Sequence, residues 1–247
     1  MPEAALPALK RFAAVAILCF LIGLAVAGQS ISAGREESAA SAAQPRLKAK
    51  MAGTNFKVGD PVFLRVFKDE SILEVWLKPA GESKFALFYS YSICAWSGAL
   101  GPKTKQGDRQ APEGFYAVGS KHLNPFSSYH LSFDLGYPNT YDRAQGYTGS
   151  LLMIHGDCKS DGCLAMTNNG IEEIYTLVKA ALDKGQPFFR VHSFPFRLTK
   201  NNLRKHLNSP WHDFWLMLEP PYAYFEKHRT PPDVIVESGR YKISSTN

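Results

Sequence analysis

The chain has 247 residues, of which 45% are hydrophobic and 20% charged, with a net charge of +6. This is the makeup of a globular protein of ordinary domain size and excludes a disordered or fibrous chain. The mild basic excess suits an anionic envelope, and no Lys/Arg run is interleaved with aromatic residues, so nucleic acid is not expected as a partner.

At the N-terminus, Lys10 and Arg11 precede an uncharged apolar run from Phe12 to Val26 that ends in Ala25-Val26-Ala27. The run has about the length of a signal-peptide core, is shorter than the roughly 20 residues of a spanning helix, and closes on a small-x-small cleavage pattern. Residues 1–27 are therefore expected to be a signal peptide and the protein to be exported. The alternative is an uncleaved inner-membrane anchor, which would be the chain's one contact with a membrane. The stretch from Gln29 to Ala52 is rich in Ala and Ser and has no aromatic residue, so residues 28–60 read as a linker and 61–247 as the folded domain.

From Pro61 onward, short runs rich in β-branched and aromatic residues recur: Val62 to Phe67, Leu73 to Leu77, Phe85 to Ser92, Gly114 to Val118, Tyr129 to Phe133 and Leu151 to Ile154. Gly, Pro, Asn and Asp separate them, which predicts a mainly β domain with hairpins. Arg65 and Lys78, set between apolar neighbours, are expected to face solvent. Ile171, Ile174, Tyr175, Val178 and Leu182 have helical spacing, with Asn169 and Glu172 as the expected cap and Gly185 as the stop. Phe188 to Leu198 reads as a returning strand. The tail from Thr199 to Arg229 is helical, with an aromatic ladder through Trp211, Trp215 and Phe225 and a break expected at Pro220-Pro221. Val234 to Val236 and Arg240 to Ile243 are candidate edge strands. The expected class is thus α+β, mainly β with a helical C-terminal extension.

Removal of residues 1–27 leaves Cys94, Cys158 and Cys163, an odd number in a compartment where disulfides persist, so at least one thiol stays unpaired or pairs between chains. The segment from Ile154 to Met166 places His155, Cys158, Ser160, Asp161, Gly162 and Cys163 between a strand and a helix. A thiol needs a neighbour that takes its proton before it attacks a carbonyl, and His is the usual partner. Gly162, just before Cys163, permits a turn that aims N–H groups at a developing oxyanion, so Gly162 and the Cys163 amide are candidate oxyanion donors and Ser160 a supporting hydroxyl. Three other readings stay open on the residues alone: a small buried Cys163 in the core, a zinc site from His155, Cys158 and Cys163, and a Cys158 to Cys163 disulfide.

The Ser-x-Gly-Cys pattern at Ser160 to Cys163, preceded by Ile154-His155-Gly156, resembles the catalytic motif of the L,D-transpeptidase (YkuD-domain) family of peptidoglycan enzymes. The stretch from Gly107 to Tyr116, with Ala111-Pro112-Glu113-Gly114-Phe115, is similar to the family's Thr-Pro-x-Gly-x-Phe signature, and the YafK-like branch is the nearer resemblance, from about Pro61 to Tyr241. The resemblance implies a sandwich-like β catalytic domain with a helix, Cys163 as nucleophile and His155 as general base. It also implies stem peptides of peptidoglycan as substrate, a wall-linked lipoprotein as a further candidate partner, and no cofactor or metal. Asp161 stands where many members have His, Ala165 where many have Arg or Asn, and the spacing from His155 to Cys163 is shorter than in the wider family. The acceptor and the bond attacked are therefore left open. An L,D-peptidase or amidase that releases wall-linked lipoprotein or cuts cross-links is the alternative enzyme, and a noncatalytic wall-binding module the alternative of another class. Cys94 and Cys158 are expected to pair and leave Cys163 free. Arg109 and Asp161 are candidate substrate-binding residues, Arg109 through its planar fork for a stem-peptide carboxylate.

Overall fold

The computed structural model describes residues 34–244, so the expected signal peptide and its cleavage site lie outside the described residues. No helix among the described residues is long and apolar enough to cross a membrane.

The linker expected over 28–60 is corrected from residue 34 onward: residues 34–51 form a helix, α1. Ala39, Ala43 and Leu47, four apart, are buried in the main core. Arg46 donates to Glu172 and Glu173 at 2.6 and 2.8 Å, and Tyr175 donates to Glu36 at 2.7 Å. Alanine is the strongest helix former, and a stripe of small side chains buries a helix without any aromatic residue. Pro45 lies within α1, where its ring removes one backbone bond; the docked face and the ion pairs offset that loss.

The elements then follow as β1 (Val62–Phe67), β2 (Ile72–Leu77), β3 (Ala86–Ser92), β4 (Ala95–Trp96), β5 (Gly114–Val118), β6 (Leu123–Asn124), β7 (Ser132–Asp134), α2 (Thr140–Ala144), β8 (Met153–His155), β9 (Leu164–Ala165), α3 (Asn168–Asp183), β10 (Phe189–Phe194), α4 (Lys200–Lys205), α5 (His212–His228), β11 (Val234–Glu237) and β12 (Arg240–Ile243). The fold is α+β. One five-stranded sheet has the order β3-β2-β1-β10-β5, the other β4-β9-β8-β7-β6, and β11 pairs with β12 as a hairpin. Val62, Leu64 and Val66 of the first sheet share one hydrophobic cluster with Phe133, Ile154 and Leu164 of the second and with Ile171, Ile174 and Val178 of α3.

The opposite face of β1 is buried as well, because Phe63 and Phe67 pack against the aromatic residues of α5. The solvent-facing reading of Arg65 is corrected by this cover. Arg65 is 2% exposed, bonds Glu74 at 2.7 Å and Glu226 of α5 at 2.5 Å, and lies over the Trp76 and Phe225 rings. α5 stays helical through Pro220 and Pro221, where a break was expected. Burial of Trp215, Leu218, Tyr222 and Phe225 on both sides of the prolines holds the segment against the sheet. α3 is capped two residues earlier than the expected Asn169, since Thr167 Oγ1 accepts from the Gly170 amide at 3.0 Å. The strand expected over Tyr129 to Phe133 begins only at Ser132, because His130 takes a positive φ of 69°.

Candidate active site

β8 and β9 are neighbouring parallel strands, with Ile154 opposite Leu164 and His155 opposite Ala165. Side chains alternate along a strand, so Cys163, two residues before Ala165, falls on the sheet face that carries His155. Parallel neighbours ordinarily need a crossover of about a dozen or more residues, whereas here only residues 156–163 connect them. Such a short return requires unusual backbone: Asp157 and Cys158 take φ of 67° and 44°, and Gly162 takes 92°. A disulfide between Cys94 and Cys158 ties this loop to the residue before β4, and Cys163 is the free cysteine among the described residues.

The half-buried Cys163 Sγ accepts from the Met153 amide at 3.4 Å and donates toward the Leu151 carbonyl at 3.7 Å. Burial pushes the thiol above its ordinary value, the Met153 amide works against this, and Asp134 and Asp161 add to it. The imidazole of His155 is 2% exposed, and its Nδ1 lies 2.6 Å from the Gly156 carbonyl. A carbonyl can only accept, so Nδ1 carries the proton and Nε2 presents a lone pair. Burial holds His155 below the usual imidazole range. The Tyr129 ring lies against it, with centroids 4.8 Å apart. Both shifts favour the neutral forms, thiol and imidazole. The sulfur's hydrogen bonds go to Leu151 and Met153 rather than to the ring.

The other expected residues divide. Ser160 Oγ donates to the Cys163 carbonyl at 2.7 Å, which fixes the backbone just after the sulfur-bearing carbon. The Gly162 amide, expected to face an oxyanion, instead donates to Ser97 Oγ at 2.5 Å. That donor is committed, which corrects its assignment as an oxyanion donor and leaves the Cys163 amide as the remaining candidate. Arg109 and Asp161 are both exposed and approach to 3.4 Å. With Gly107, Leu151 and Leu152 they line a cleft of about 270 Å³. Leu151, whose carbonyl meets the sulfur, forms part of that wall. Asp108 shapes the Arg109 turn by accepting from the amides of Thr104, Lys105 and Gln110 and pairing with Lys103. These contacts hold its carboxyl below the usual range against the opposing effect of burial.

Several residues of this neighbourhood carried no signal in the sequence. Ser97 bonds Gly162 and Arg109. Tyr129 covers the imidazole. Lys68 and Glu113 form a fully buried ion pair at 2.9 Å. Lys68 also donates to the carbonyls of Ala99, Gly101 and Ala111, and Glu113 accepts from the Gly101 amide and the Trp215 indole. Glu113 lies inside the Gly107 to Tyr116 stretch, but nothing in its spacing points to Lys68, just after β1, as its partner. Among the described residues no group of three or more His, Cys, Asp and Glu side chains is arranged to hold a metal ion.

Residues 88–188 match the profile of the YkuD L,D-transpeptidase catalytic domain. The chain is 50% identical over 187 residues to YafK of Escherichia coli (strain K12), itself only provisionally named an L,D-transpeptidase. That match covers 76% of this chain and 75% of YafK. Among solved structures, the helical cell shape determining protein Pgp2 of Campylobacter jejuni is similar with a TM-score of 0.45 and 18% identity, over 82% of this chain and 84% of that one. Bd1075 of Bdellovibrio bacteriovorus is similar with a TM-score of 0.40 and 21% identity, over 68% of this chain and 56% of that one. A catalytic-domain match that spans Cys163 and His155, together with half identity to YafK over three quarters of both chains, establishes that this protein belongs to the L,D-transpeptidase family.

Proposed function

We propose that the protein is an exported cysteine acyltransferase acting on stem-peptide amide bonds of peptidoglycan in the periplasm. The observation that supports the reading is a free thiol, Cys163, one short loop after His155, whose Nδ1 is engaged by the Gly156 carbonyl so that Nε2 is the nitrogen left to take a proton.

In the proposed first half-reaction, Cys163 Sγ attacks the carbonyl carbon of the donor stem peptide while His155 Nε2 takes the thiol proton. The new S–C bond forms a tetrahedral oxyanion, for which the Cys163 amide is the candidate donor. Collapse breaks the C–N bond, His155 returns the proton to the departing amine, and a thioester remains. In the second half-reaction an amine of another stem, or water, attacks the thioester. His155 takes the proton of the incoming group and passes it to the sulfur as the S–C bond breaks. An amine acceptor gives transpeptidation and water gives hydrolysis by the same residues. Arg109, with its five donors, is suited to hold a stem carboxylate at the cleft.

The test is incubation of the protein with purified peptidoglycan, with and without an added amine acceptor, followed by mass analysis of the products and of the protein. A thioester adduct on Cys163, and its loss together with all turnover in Cys163→Ala, are expected. A Cys163→Ala protein that still processes the wall would overturn the assignment.

A further inference from the structure

Gly162 precedes the sulfur-bearing residue and takes a φ of 92°, a conformation that favours glycine. Its N–H ends on Ser97 Oγ at 2.5 Å. Ser97 follows β4, and the antiparallel register of Trp96 with Leu164, carried one residue further, sets it opposite Cys163. Its hydroxyl also reaches the Arg109 carbonyl at 2.8 Å and lies 3.3 Å from Ser160 Oγ.

A count of protons assigns the roles. A serine hydroxyl has one proton and two lone pairs. Arg109 offers only a carbonyl, so Ser97 donates its single proton there, and it accepts from Gly162. Ser160 in turn spends its proton on the Cys163 carbonyl at the shorter distance of 2.7 Å. The nucleophile is thus bracketed: the amide of the residue before it is held by Ser97, and its own carbonyl by Ser160. Ser97 differs from Ser160 in that it also grips the Arg109 loop. The grip is reinforced by the Ala111 amide, which donates to the Ser97 carbonyl at 3.0 Å, and by Gln110, whose side chain accepts from Ala99 and donates to Gly101.

We propose that Ser97 is a positioning residue for the acyl transfer, its hydroxyl setting the loop that carries Cys163 and the loop that carries Arg109 in a single register. The inference rests on Cys163 being the nucleophile. Ser97 touches no reacting atom; it acts through the Gly162 and Arg109 backbone, and its loss would let the sulfur drift from its attack line. Small misplacements of a reacting group cost about tenfold to a hundredfold in rate.

The experiment compares wild type, Ser97→Ala and Ser97→Thr on soluble stem-peptide donors, with circular dichroism to check folding. Expected for Ser97→Ala is a fall in kcat of about tenfold or more with KM changed by less than about threefold, and for Ser97→Thr, which keeps the hydroxyl, recovery of most of that loss. A folded Ser97→Ala protein with kcat within about threefold of wild type, or with its loss confined to KM, or a Ser97→Thr protein as impaired as Ser97→Ala, overturns the proposal. Should Ser97→Ala fail to fold, exchange of the Gly162 amide in the wild type decides. Protection comparable to the strand amides supports the hydrogen bond, and free exchange removes it. An inactive wild type would strike the Cys163 reading itself, whereas an active wild type with an indifferent Ser97 strikes only this one.

Discussion

The two five-stranded sheets are built on different terms. In the first, strands of five to seven residues run in long ladders, interrupted by a register shift between β2 and β3 at Val75/Trp76, and β1 is buried on both faces, by the inter-sheet core and by α5. In the second, which bears Cys163 and His155, strands are two or three residues long. Ladder bonds alone are too few to hold such strands. Specific tethers hold them instead: the Cys94–Cys158 disulfide, the Ser97 and Ser160 hydroxyls, and the Lys68–Glu113 pair under the Arg109 loop. The contrast predicts that the first sheet governs stability and the second governs the geometry around Cys163, through bonds that can be cut singly.

Cutting into the first sheet should give the largest loss of stability and the smallest loss of chemistry. Phe63 is fully buried against Phe225, Phe85 and His192. Truncating such a ring costs about 3–5 kcal/mol. Phe63→Ala should therefore unfold at much lower denaturant concentration while keeping wild-type kcat wherever it remains folded. A collapse of kcat in the folded variant would show that the two sheets are not separable in this way.

Cutting a tether of the second sheet should move both quantities. The Cys94–Cys158 bond closes a loop with a sequence separation of 64, for which the chain-entropy model gives about 4 kcal/mol and experience with natural bridges about 2–5 kcal/mol. The double variant Cys94→Ala/Cys158→Ala should lose stability in that range and, unlike Phe63→Ala, lose turnover even when folded, because the loop of residues 156–163 is freed at Cys158. Denaturant titration alongside kcat measurement separates the two effects, and full activity in the folded double variant would assign the bridge to stability alone.

A smaller effect is expected at α1, which meets the main core through the short stripe of Ala39, Ala43 and Leu47. Leu47 is buried at 1% exposure in the main core, and leucine truncations of this kind cost about 2–5 kcal/mol. Since α1 docks one narrow stripe, Leu47→Ala should fall at the low end of that range and leave kcat unchanged. Local opening of α1 should appear as faster amide exchange over residues 34–51 than over β1.

What was legible in the chain follows the same division. β1 and β5 were readable to the residue, because a long apolar run between turn residues has few other solutions. The free Cys163 and the Cys94–Cys158 bridge were readable because three cysteines leave one unpaired and one of them stands in a Gly-flanked motif after a strand-end imidazole. What escaped depends on contacts between distant segments. Arg65 looked solvent-facing because α5, which covers it, lies far along the chain. The Ala-rich stretch looked like a linker because its partners Glu172 and Glu173 are more than 120 residues away. Gly162 was read as an oxyanion donor because nothing in its neighbours announces Ser97 as the acceptor of its amide.

The smallest expected effect bears on how the second sheet prepares its sulfur. Burial raises the Cys163 thiol and lowers the His155 imidazole, so each is displaced toward its neutral form, and the expectation is that proton transfer accompanies attack rather than precedes it. Alkylation by iodoacetamide reports the thiolate. Its rate at Cys163, mapped by mass, should thus climb with pH through a midpoint above the ordinary thiol value of about 8.5, without a plateau in the acid range. The sign follows from the thiol: a raised value leaves less thiolate at neutral pH. Acyl transfer should behave differently, since its acid limb reports loss of the free imidazole, and a lowered imidazole value puts that limb below about 6.5. His155→Ala should accordingly abolish acyl transfer while shifting the alkylation midpoint little. An alkylation rate that stays high down to about pH 5 and is lost in His155→Ala would mean a stored ion pair, and would replace proton transfer during attack by proton transfer before it.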